Sequence, residues 1–269
     1  MEAWFVDEKI NILRGADAEK AIAARSDAKY LTEDQGIVQI PAERWKIAQA
    51  FERTGWMEKW RGAADSNNLL HAEEYNGYRS IVGRKFSHAI ELGCGPFTNL
   101  RVIGDFVEIE KVTLLDPLVE SYLQLPKCRY TREQLKSQTG EHLMPVAEIH
   151  TCPIEEMQIE GRRYDLIVMM NVIEHCFDVQ KIFSKILEMA APGAVLIFHD
   201  AIYDVSKTKA VLDAKYYEAG HPLMVAYPVM EKFMREHFEM IYFNRMPDAA
   251  DQIEVCPHTG TFYFIGKKR

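Results

Sequence analysis

Five short, largely apolar segments alternate with helical stretches between residues 88 and 200, and this alternation limits the folds open to the chain. Strands that are apolar along their length, rather than on every second residue, belong to parallel sheets covered by helices on both faces. We therefore predict an α/β fold with a doubly wound, mostly parallel sheet. Its strands are predicted over residues 89–92, 112–115, 147–150, 164–170 and 194–198.

Two more apolar segments, residues 238–243 and 261–265, lie near the end of the chain. Both are rich in aromatic and β-branched residues, which favour strands. We predict that they pair as an antiparallel ribbon. The polar segment 125–146 lies between two predicted strands; it either helps to bind a substrate or is a surface excursion.

The first part of the chain has a different pattern. Helical spacing of apolar residues covers 18–28, 42–60 and 70–82, and no strand pattern is convincing there. We therefore predict a helical N-terminal cap over residues 1–82, followed by the sheet domain over residues 83–269.

The formal net charge of −8 argues against nucleic acid and anionic membrane surfaces as partners. The chain has no run of basic residues apart from 267–269. It also has no apolar stretch of about 18 residues and no signal-peptide pattern, so we expect no membrane span and take the cytoplasm as the default location. The five cysteines form no CxxC pair, which argues against a thiolate zinc site.

The segment after the first predicted strand carries the strongest functional signal. Gly93 and Gly95 allow a sharp turn and a close approach of backbone to a ligand. Asp116 ends the next strand, where a carboxylate can accept hydrogen bonds from both hydroxyls of a ribose. By itself, each feature is also explained locally, as a tight turn or as a helix cap. Together they favour a bound nucleoside.

The residues around this turn distinguish between nucleoside cofactors. A dinucleotide fingerprint has a third glycine, and Thr98 occupies that position. Glu91 precedes the turn and suits a cationic or amino-acid-bearing ligand better than a pyrophosphate. The pattern therefore favours a ligand with a ribose and a charged amino-acid moiety.

The quoted segments resemble a known family. ELGCGPFTNL is similar to motif I of class I S-adenosylmethionine-dependent methyltransferases, and LLDPL is similar to the acidic-strand motif that follows it. YDLIVMMNVIEH and ILEMAAPGAVLIF resemble the fourth strand, the following helix and the fifth strand. The resemblance covers residues 85–200. It implies a Rossmann-like, seven-stranded sheet of order 3-2-1-4-5-7-6, in which strand 7 is antiparallel.

The resemblance also implies a set of residues that bind S-adenosylmethionine. In this family the methionine part lies against the glycine turn and the ribose at the acidic residue, and the adenine position falls on Pro153-Ile154, where the usual aspartate is missing. Ile154 and Glu155 are therefore the expected substitutes at the adenine, and the fourth strand ends along the cofactor. The predicted cofactor-binding residues are Glu91, Gly93, Cys94, Gly95, Asp116, Pro117, Ile154, Glu155, Asn171 and Val172.

An alcohol acceptor usually needs a general base, and His199-Asp200 follow the fifth predicted strand at the expected place. Asp200 is alternatively a helix cap, and His199 is alternatively part of a pocket wall. Candidate acceptor-binding residues are His175, Tyr203, His221, Tyr75 and Tyr78. His199, Asp200 and Asp204 do not make a convincing metal site, so no metal is expected.

The sequence thus predicts an S-adenosylmethionine-dependent methyltransferase that O-methylates a hydroxyl of a small molecule or carbohydrate. Four alternatives stay open. They are N-methylation, methylation of a protein or RNA, a nicotinamide-dependent oxidoreductase, and a non-catalytic protein that binds S-adenosylmethionine. The aromatic residues of the cap, among them Trp45, Phe51, Trp56 and Trp60, either form its core or close over the ligand.

Overall fold

The structure is a computed structural model, and it describes nine ranges of the 269-residue chain. These are residues 4–7, 9–24, 32–34, 36–39, 42–65, 68–69, 77–204, 221–247 and 258–269. Within these residues, no helix has the length and apolar character that a bilayer crossing requires.

The described part of the first 82 residues is a mixture of short strands and helices. Two antiparallel hairpins flank the first helix, and a second helix follows. The elements are β1 (Trp4–Val6), β2 (Ile12–Arg14), α1 (Gly15–Ala24), β3 (Thr32–Asp34), β4 (Ile37–Gln39) and α2 (Ala42–Thr54).

The helix predicted over 42–60 is thus confirmed as α2, continued by a π-helical turn over Gly55–Lys59. A 3₁₀ turn, Gly77–Ile81, is the described part of the helix predicted over 70–82. The prediction that this region lacks strands is wrong, because the four strands are only three residues long and too short for a periodic signal. The division of the chain at residue 82 stays a prediction.

The main sheet has eight strands and follows the predicted order. From one edge to the other it runs β9, β10, β8, β6, β11, β12, β15 and β14. A separate two-residue pair, β5 (Lys85–Phe86) with β7 (Glu108–Ile109), lies beside it. The other strands are β6 (Ala89–Leu92), β8 (Val112–Leu115), β9 (Gln134–Lys136), β10 (Leu143–His150), β11 (Tyr164–Met170), β12 (Ala190–Tyr203), β13 (Leu223–Val225), β14 (Phe238–Pro247) and β15 (His258–Lys268).

The five central strands are parallel, as the apolar segments predicted. β10 pairs with β8, β8 with β6, β6 with β11 and β11 with β12, all in parallel register. β15 is antiparallel to both β12 and β14, which confirms the predicted ribbon. The eighth strand, β9, was not predicted; it pairs antiparallel with β10 inside the polar segment 125–146.

Helices cover both faces of the sheet and enclose two apolar cores. They are α3 (Leu100–Ile103), α4 (Val119–Tyr122), α5 (Val179–Met189) and α6 (Tyr227–His237). On one face α5 and α6 pack together, where Phe183 stacks on Phe233 with ring centroids 4.0 Å apart. Asp178 caps α5 by accepting a hydrogen bond from the backbone N–H of Lys181.

The N-terminal region joins the main sheet through β13. This strand pairs antiparallel with β4, and Tyr203 at the end of β12 forms an isolated bridge with Ala226 just after β13. The N-terminal elements are therefore held near the carboxyl ends of the central strands. Loops at that end of an open parallel sheet are where ligands bind.

Candidate functional site

A cavity of about 530 Å³ lies at the carboxyl ends of the central strands. This volume is typical of sites for small ligands and cofactors. Its walls come from the turns after β6, β8, β10 and β11 and from α2 with the π-helical turn that follows it. Among the described residues, those that line it include Trp45, Gln49, Phe51, Glu52, Trp56, Trp60, Gly93, Gly95, Phe97, Asp116, Pro117, Tyr122, Ile154, Glu155, Asn171, Val172, Glu174, His175 and His221.

The glycine turn after β6 forms the floor of the cavity. Gly93 has a φ of 71°, and a Cβ there would lie 2.5 Å from a methyl group of Val172. Gly95 has a φ of 55°, but a Cβ there would meet no atom within 4 Å. Both positions favour glycine for conformation. Only at Gly93 does protein packing also require it; at Gly95 the space next to the backbone is open.

Glu91 and Cys94 were predicted to bind the cofactor, and neither side chain lines the cavity. The Glu91 carboxylate is fully buried behind the turn. It accepts hydrogen bonds from the Thr98 hydroxyl and from the backbone N–H groups of Asn99 (2.7 Å) and Leu100 (3.0 Å). Burial raises the pKa of Glu91, although these hydrogen bonds oppose the shift. Glu91 therefore fixes the shape of the turn.

Tyr130 supports the turn from the polar segment 125–146, and sequence reasoning missed it. Its hydroxyl donates a hydrogen bond to the Gly95 carbonyl at 3.0 Å and lies 3.7 Å from the Cys94 thiol. The neighbouring backbone N–H of Arg129 donates to the Pro96 carbonyl. Residues of this segment therefore stabilise the glycine turn through hydrogen bonds. A single aromatic residue in a polar stretch gave no sequence signal for that role.

Asp116 lies at the end of β8, as predicted, and faces the cavity. One carboxylate oxygen accepts from the backbone N–H of Leu118 (2.8 Å) and the other from that of Gly95 (3.1 Å). The local interpretation of Asp116 as a cap thus holds in part, since it accepts from the backbone N–H of Leu118, and it also fixes the glycine turn. Burial raises the pKa of Asp116 to about 7, with a further contribution from the Glu52 charge.

The adenine side of the predicted site is formed by the 3₁₀ turn after β10. Ile154 and Glu155 line the cavity there, and Pro117 lies opposite, after β8. One Glu155 oxygen accepts hydrogen bonds from the backbone N–H groups of Phe177 and Asp178. The second oxygen is buried and has no partner among the described residues. An ionised carboxylate oxygen buried without a donor is costly, and burial raises the pKa of Glu155.

Asn171 and Val172 follow β11 and line the cavity next to the glycine turn. Asn171 has a φ of 59° and is exposed at the strand end, with its backbone N–H donating to the His199 carbonyl. Few non-glycine residues adopt this conformation, and those that do are often found at functional sites. Val172 fixes the position of Gly93 by direct contact.

His199 and Asp200, the predicted base, lie within β12 and do not line the cavity. Their side chains are almost fully buried, and the His199 ring packs on Tyr263 with ring centroids 4.0 Å apart. Asp200 accepts hydrogen bonds from the backbone N–H groups of Val172 (3.2 Å) and Ile173 (2.8 Å). Its pKa is raised to about 7 by burial and then by the Glu174 charge. Asp200 thus positions the turn after β11.

Glu174 and His175 on that turn, together with His221 just before β13, form a cluster that does face the cavity. A Glu174 carboxylate oxygen lies 3.6 Å from Nε2 of His221 and 3.9 Å from Nε2 of His175. The two imidazole rings meet edge to face, with centroids 4.6 Å apart. Tyr203, also a predicted substrate residue, does not line the cavity, but its hydroxyl donates to the second Glu174 oxygen. Sequence reasoning named both histidines and missed Glu174.

The remaining predicted substrate residues are not in the cavity or are not described. Tyr78 is buried in the core, with its hydroxyl 3.3 Å from the Met170 sulfur. Tyr75 lies outside the described residues. Trp45 lines the cavity and donates to the His175 carbonyl at 2.8 Å. Trp56 lies edge-on to Phe97 and Tyr122, so aromatic residues of the N-terminal region do close over the site.

A family profile described as a methyltransferase domain matches residues 74–237, more than half of the chain. No curated protein matches the chain in sequence.

Several solved structures share the fold at low sequence identity. The N-methyltransferase NodS from Bradyrhizobium japonicum WM9, in complex with S-adenosyl-L-homocysteine, is 13% identical, with a TM-score of 0.52 over 80% of this chain and 98% of that one. A Leishmania major S-adenosylmethionine-dependent methyltransferase is also 13% identical, with a TM-score of 0.52 over 100% and 97%. Phosphoethanolamine N-methyltransferase 2 from Haemonchus contortus, with S-adenosyl-L-methionine, is 12% identical, with a TM-score of 0.52 over 82% and 57%.

Proposed function

Because the chain belongs to the class I S-adenosylmethionine-dependent methyltransferase family, we propose that it methylates a hydroxyl of an uncharged small molecule or carbohydrate. The observation that carries the proposal is the meeting of two sets of residues in one cavity. The glycine turn and Asp116 form a cofactor half, and Glu174, His175 and His221 form a cluster beside it.

In the cofactor half of the cavity, the proposed binding positions for adenine, ribose and methionine follow the order of the strands. Next to one another along the sheet edge lie β10, β8, β6 and β11. We place the adenine at Ile154 and Glu155, the ribose at Asp116 and Pro117, and the methionine part over Gly93 and Gly95, with Asn171 and Val172 beside it. Neighbouring strands are about 4.8 Å apart, so this order spreads an extended nucleoside over the sheet edge. The sulfonium methyl then points toward the β11 side, where the Glu174 cluster lies.

The chemistry of the cavity walls favours an acceptor without negative charge. Four carboxylates line the cavity, those of Glu52, Asp116, Glu155 and Glu174, and its described lining contains no lysine or arginine. A phosphate or carboxylate acceptor would therefore be repelled. The indoles and phenyl ring of Trp45, Trp56 and Phe51 offer flat apolar faces for a sugar or aromatic ring.

The histidine cluster distinguishes a hydroxyl acceptor from an amine. A neutral amine attacks a sulfonium methyl with its own lone pair, whereas an alcohol must lose its proton to be an effective nucleophile. Two imidazoles beside a buried carboxylate are suited to removing that proton from the hydroxyl. The cluster would have no such function if the acceptor were an amine that needs only desolvation and orientation.

A paired acceptor screen tests the proposal. The protein is incubated with methyl-labelled S-adenosylmethionine and with matched alcohol and amine compounds, such as a hexose and the corresponding amino sugar. We expect label in the hydroxylated compound, in an ether that survives mild alkali. Label carried only on the nitrogen of the amines would establish the second candidate, N-methylation, which the acidic cavity also favours because it attracts ammonium groups.

A replacement at Gly95 tests the placement of the cofactor. Gly95→Ala adds a methyl group where no protein atom lies within 4 Å, so we expect the fold to persist and the affinity for S-adenosylhomocysteine to fall at least tenfold. Gly161→Ala is a matched control, because Gly161 also has positive φ and open space but does not line the cavity. Both changes should cost about 1–2 kcal/mol of folding stability. Equal affinities of the two variants for S-adenosylhomocysteine would mean that the cofactor does not bind next to Gly95.

The raised pKa of Asp116 predicts how cofactor binding depends on pH. The ionised carboxylate accepts hydrogen bonds from two hydroxyls, and the protonated acid is a poorer acceptor, so the ionised form binds the ribose more tightly. With a pKa of about 7 in the unliganded protein, we expect the affinity to fall as the pH drops below 7, by up to about tenfold per pH unit. Calorimetry between pH 5.5 and 8.5 measures this, with proton release on binding near pH 6. A flat profile contradicts it.

A further inference from the structure

We propose that Glu174, His175 and His221 bind a divalent transition-metal ion that contacts the acceptor oxygen. One donor atom from each of the three residues lies within 4.8 Å of the other two. Three points that close together leave a position within about 2.8 Å of all of them, and bonds from zinc-type ions to nitrogen or oxygen are about 2.0–2.2 Å long. Small side-chain rotations would close the remaining gap.

The residue types select the kind of ion. Two imidazoles and one carboxylate are typical ligands of Zn²⁺, Fe²⁺, Mn²⁺ and Co²⁺ and leave other coordination positions open. Ca²⁺ and Mg²⁺ prefer six or more oxygen ligands and are disfavoured here. The site differs from the set that the sequence suggested, since His199 and Asp200 are buried within β12.

The surroundings hold the ligands in place as those of a metal site do. The Glu174 side chain is 8% exposed, and its second oxygen accepts the Tyr203 hydroxyl, which fixes the carboxylate direction. Trp45 holds the backbone of His175, and Asp200 holds the turn that carries both Glu174 and His175. The two imidazoles keep about a quarter of their surface exposed, toward the cavity. Such outer contacts orient ligands and increase metal affinity.

The ion would supply the activation that an alcohol acceptor needs, so its role rests on the proposed function. An acceptor hydroxyl that coordinates the ion loses its proton to solvent. The resulting oxygen then attacks the sulfonium methyl; a C–O bond forms, the S–CH₃ bond breaks, and the electron pair stays on sulfur. Neither the ion nor the substrate changes oxidation state. The four carboxylates of the cavity would also attract the cation before the acceptor binds.

Direct metal binding tests the proposal without measuring turnover. Chelator-treated protein is titrated with Mn²⁺, Co²⁺ and Zn²⁺ by calorimetry, together with the His221→Ala, Glu174→Gln and Tyr203→Phe variants. We expect one equivalent bound by the unchanged chain, a loss of at least 100-fold in affinity in the first two variants, and about tenfold in the third. His150→Ala is the matched control, since His150 pairs with Glu148 outside the cavity and should not affect binding.

The absence of stoichiometric binding, or equal binding by all variants, would overturn the metal site. Titration of the metal-free protein with S-adenosylhomocysteine separates this result from the function proposed above. If the cofactor product binds and the metal does not, the metal site fails and the methyltransferase assignment is unaffected. If a metal binds at Glu174 and His221 but matched acceptors show label only on nitrogen, the ion site stands and O-methylation fails.

Discussion

Asp116→Ala is expected to lower the affinity for S-adenosylhomocysteine by at least 100-fold. The carboxylate is the proposed acceptor for two ribose hydroxyls, and a hydrogen bond to a charged group contributes about 1.5–3 kcal/mol. Each 1.4 kcal/mol corresponds to about a factor of ten in affinity. The change also removes the partners of the Gly95 and Leu118 backbone N–H groups, so the glycine turn loses its fixed position as well. Isothermal titration calorimetry measures the affinity.

Two further variants separate cofactor binding from general damage. Asp116→Asn keeps one oxygen acceptor at nearly the same volume and should lose about tenfold, with a pH profile that is flat around 7. Glu120→Ala removes an exposed carboxylate that pairs with Arg132 close to the same strand, and it should leave the affinity unchanged. If Asp116→Ala bound the product as tightly as the unchanged chain, the ribose would have to lie elsewhere.

The part of the site that follows from short-range rules could be predicted from the sequence. Gly93 and Asp116 directly follow short apolar strands, Gly95 lies in the turn after the first of them, and the carboxyl ends of parallel strands lie at one edge of a sheet. These features depend on the backbone of neighbouring residues. The order of the central strands followed instead from the family resemblance, and the structure has that order.

Glu91 shows where such rules stop. In a strand with one buried face, alternation tells which way a side chain points. β6 is buried on both faces, so its sequence does not reveal whether the Glu91 carboxylate faces the ligand or the back of the turn. The structure places it behind the turn, where Thr98 and Asn99 satisfy it.

The error in the predicted position of His199 and Asp200 has a different physical cause. The fifth strand was predicted to end at Phe198, which would put His199 and Asp200 in a loop over the cavity. β12 instead continues to Tyr203, because it pairs with β15 along this whole stretch. Strand pairing between distant segments thus decided the position, and sequence periodicity within β12 carries no information about it. His221 is similarly brought to Glu174 by the pairing of β13 with β4 in the N-terminal region.

His221→Asn is expected to reduce kcat for an alcohol acceptor by about 10²–10⁴-fold while leaving the affinity for S-adenosylhomocysteine within a factor of two to three. The imidazole lies beside Glu174 in the acceptor half of the cavity, and asparagine can neither accept the proton nor replace a metal-binding nitrogen. His199→Asn is the matched comparison, since its ring packs on Tyr263 behind the cavity. It should lower the unfolding temperature but keep kcat within about fivefold, because packing and not proton transfer is what it loses.

The pair of variants discriminates between the two positions for acceptor activation. Steady-state methyl transfer at saturating cofactor and acceptor measures kcat, and thermal unfolding of each variant shows whether the fold has survived. A large loss of kcat in His199→Asn together with normal turnover in His221→Asn would restore the base that the sequence alone suggested. Losses in both, with intact folds, would mean that the strand end at β12 and the Glu174 cluster act as one unit, coupled through the hydrogen bonds from Val172 and Ile173 to Asp200. Normal turnover of the alcohol acceptor in both variants would mean that neither imidazole activates it.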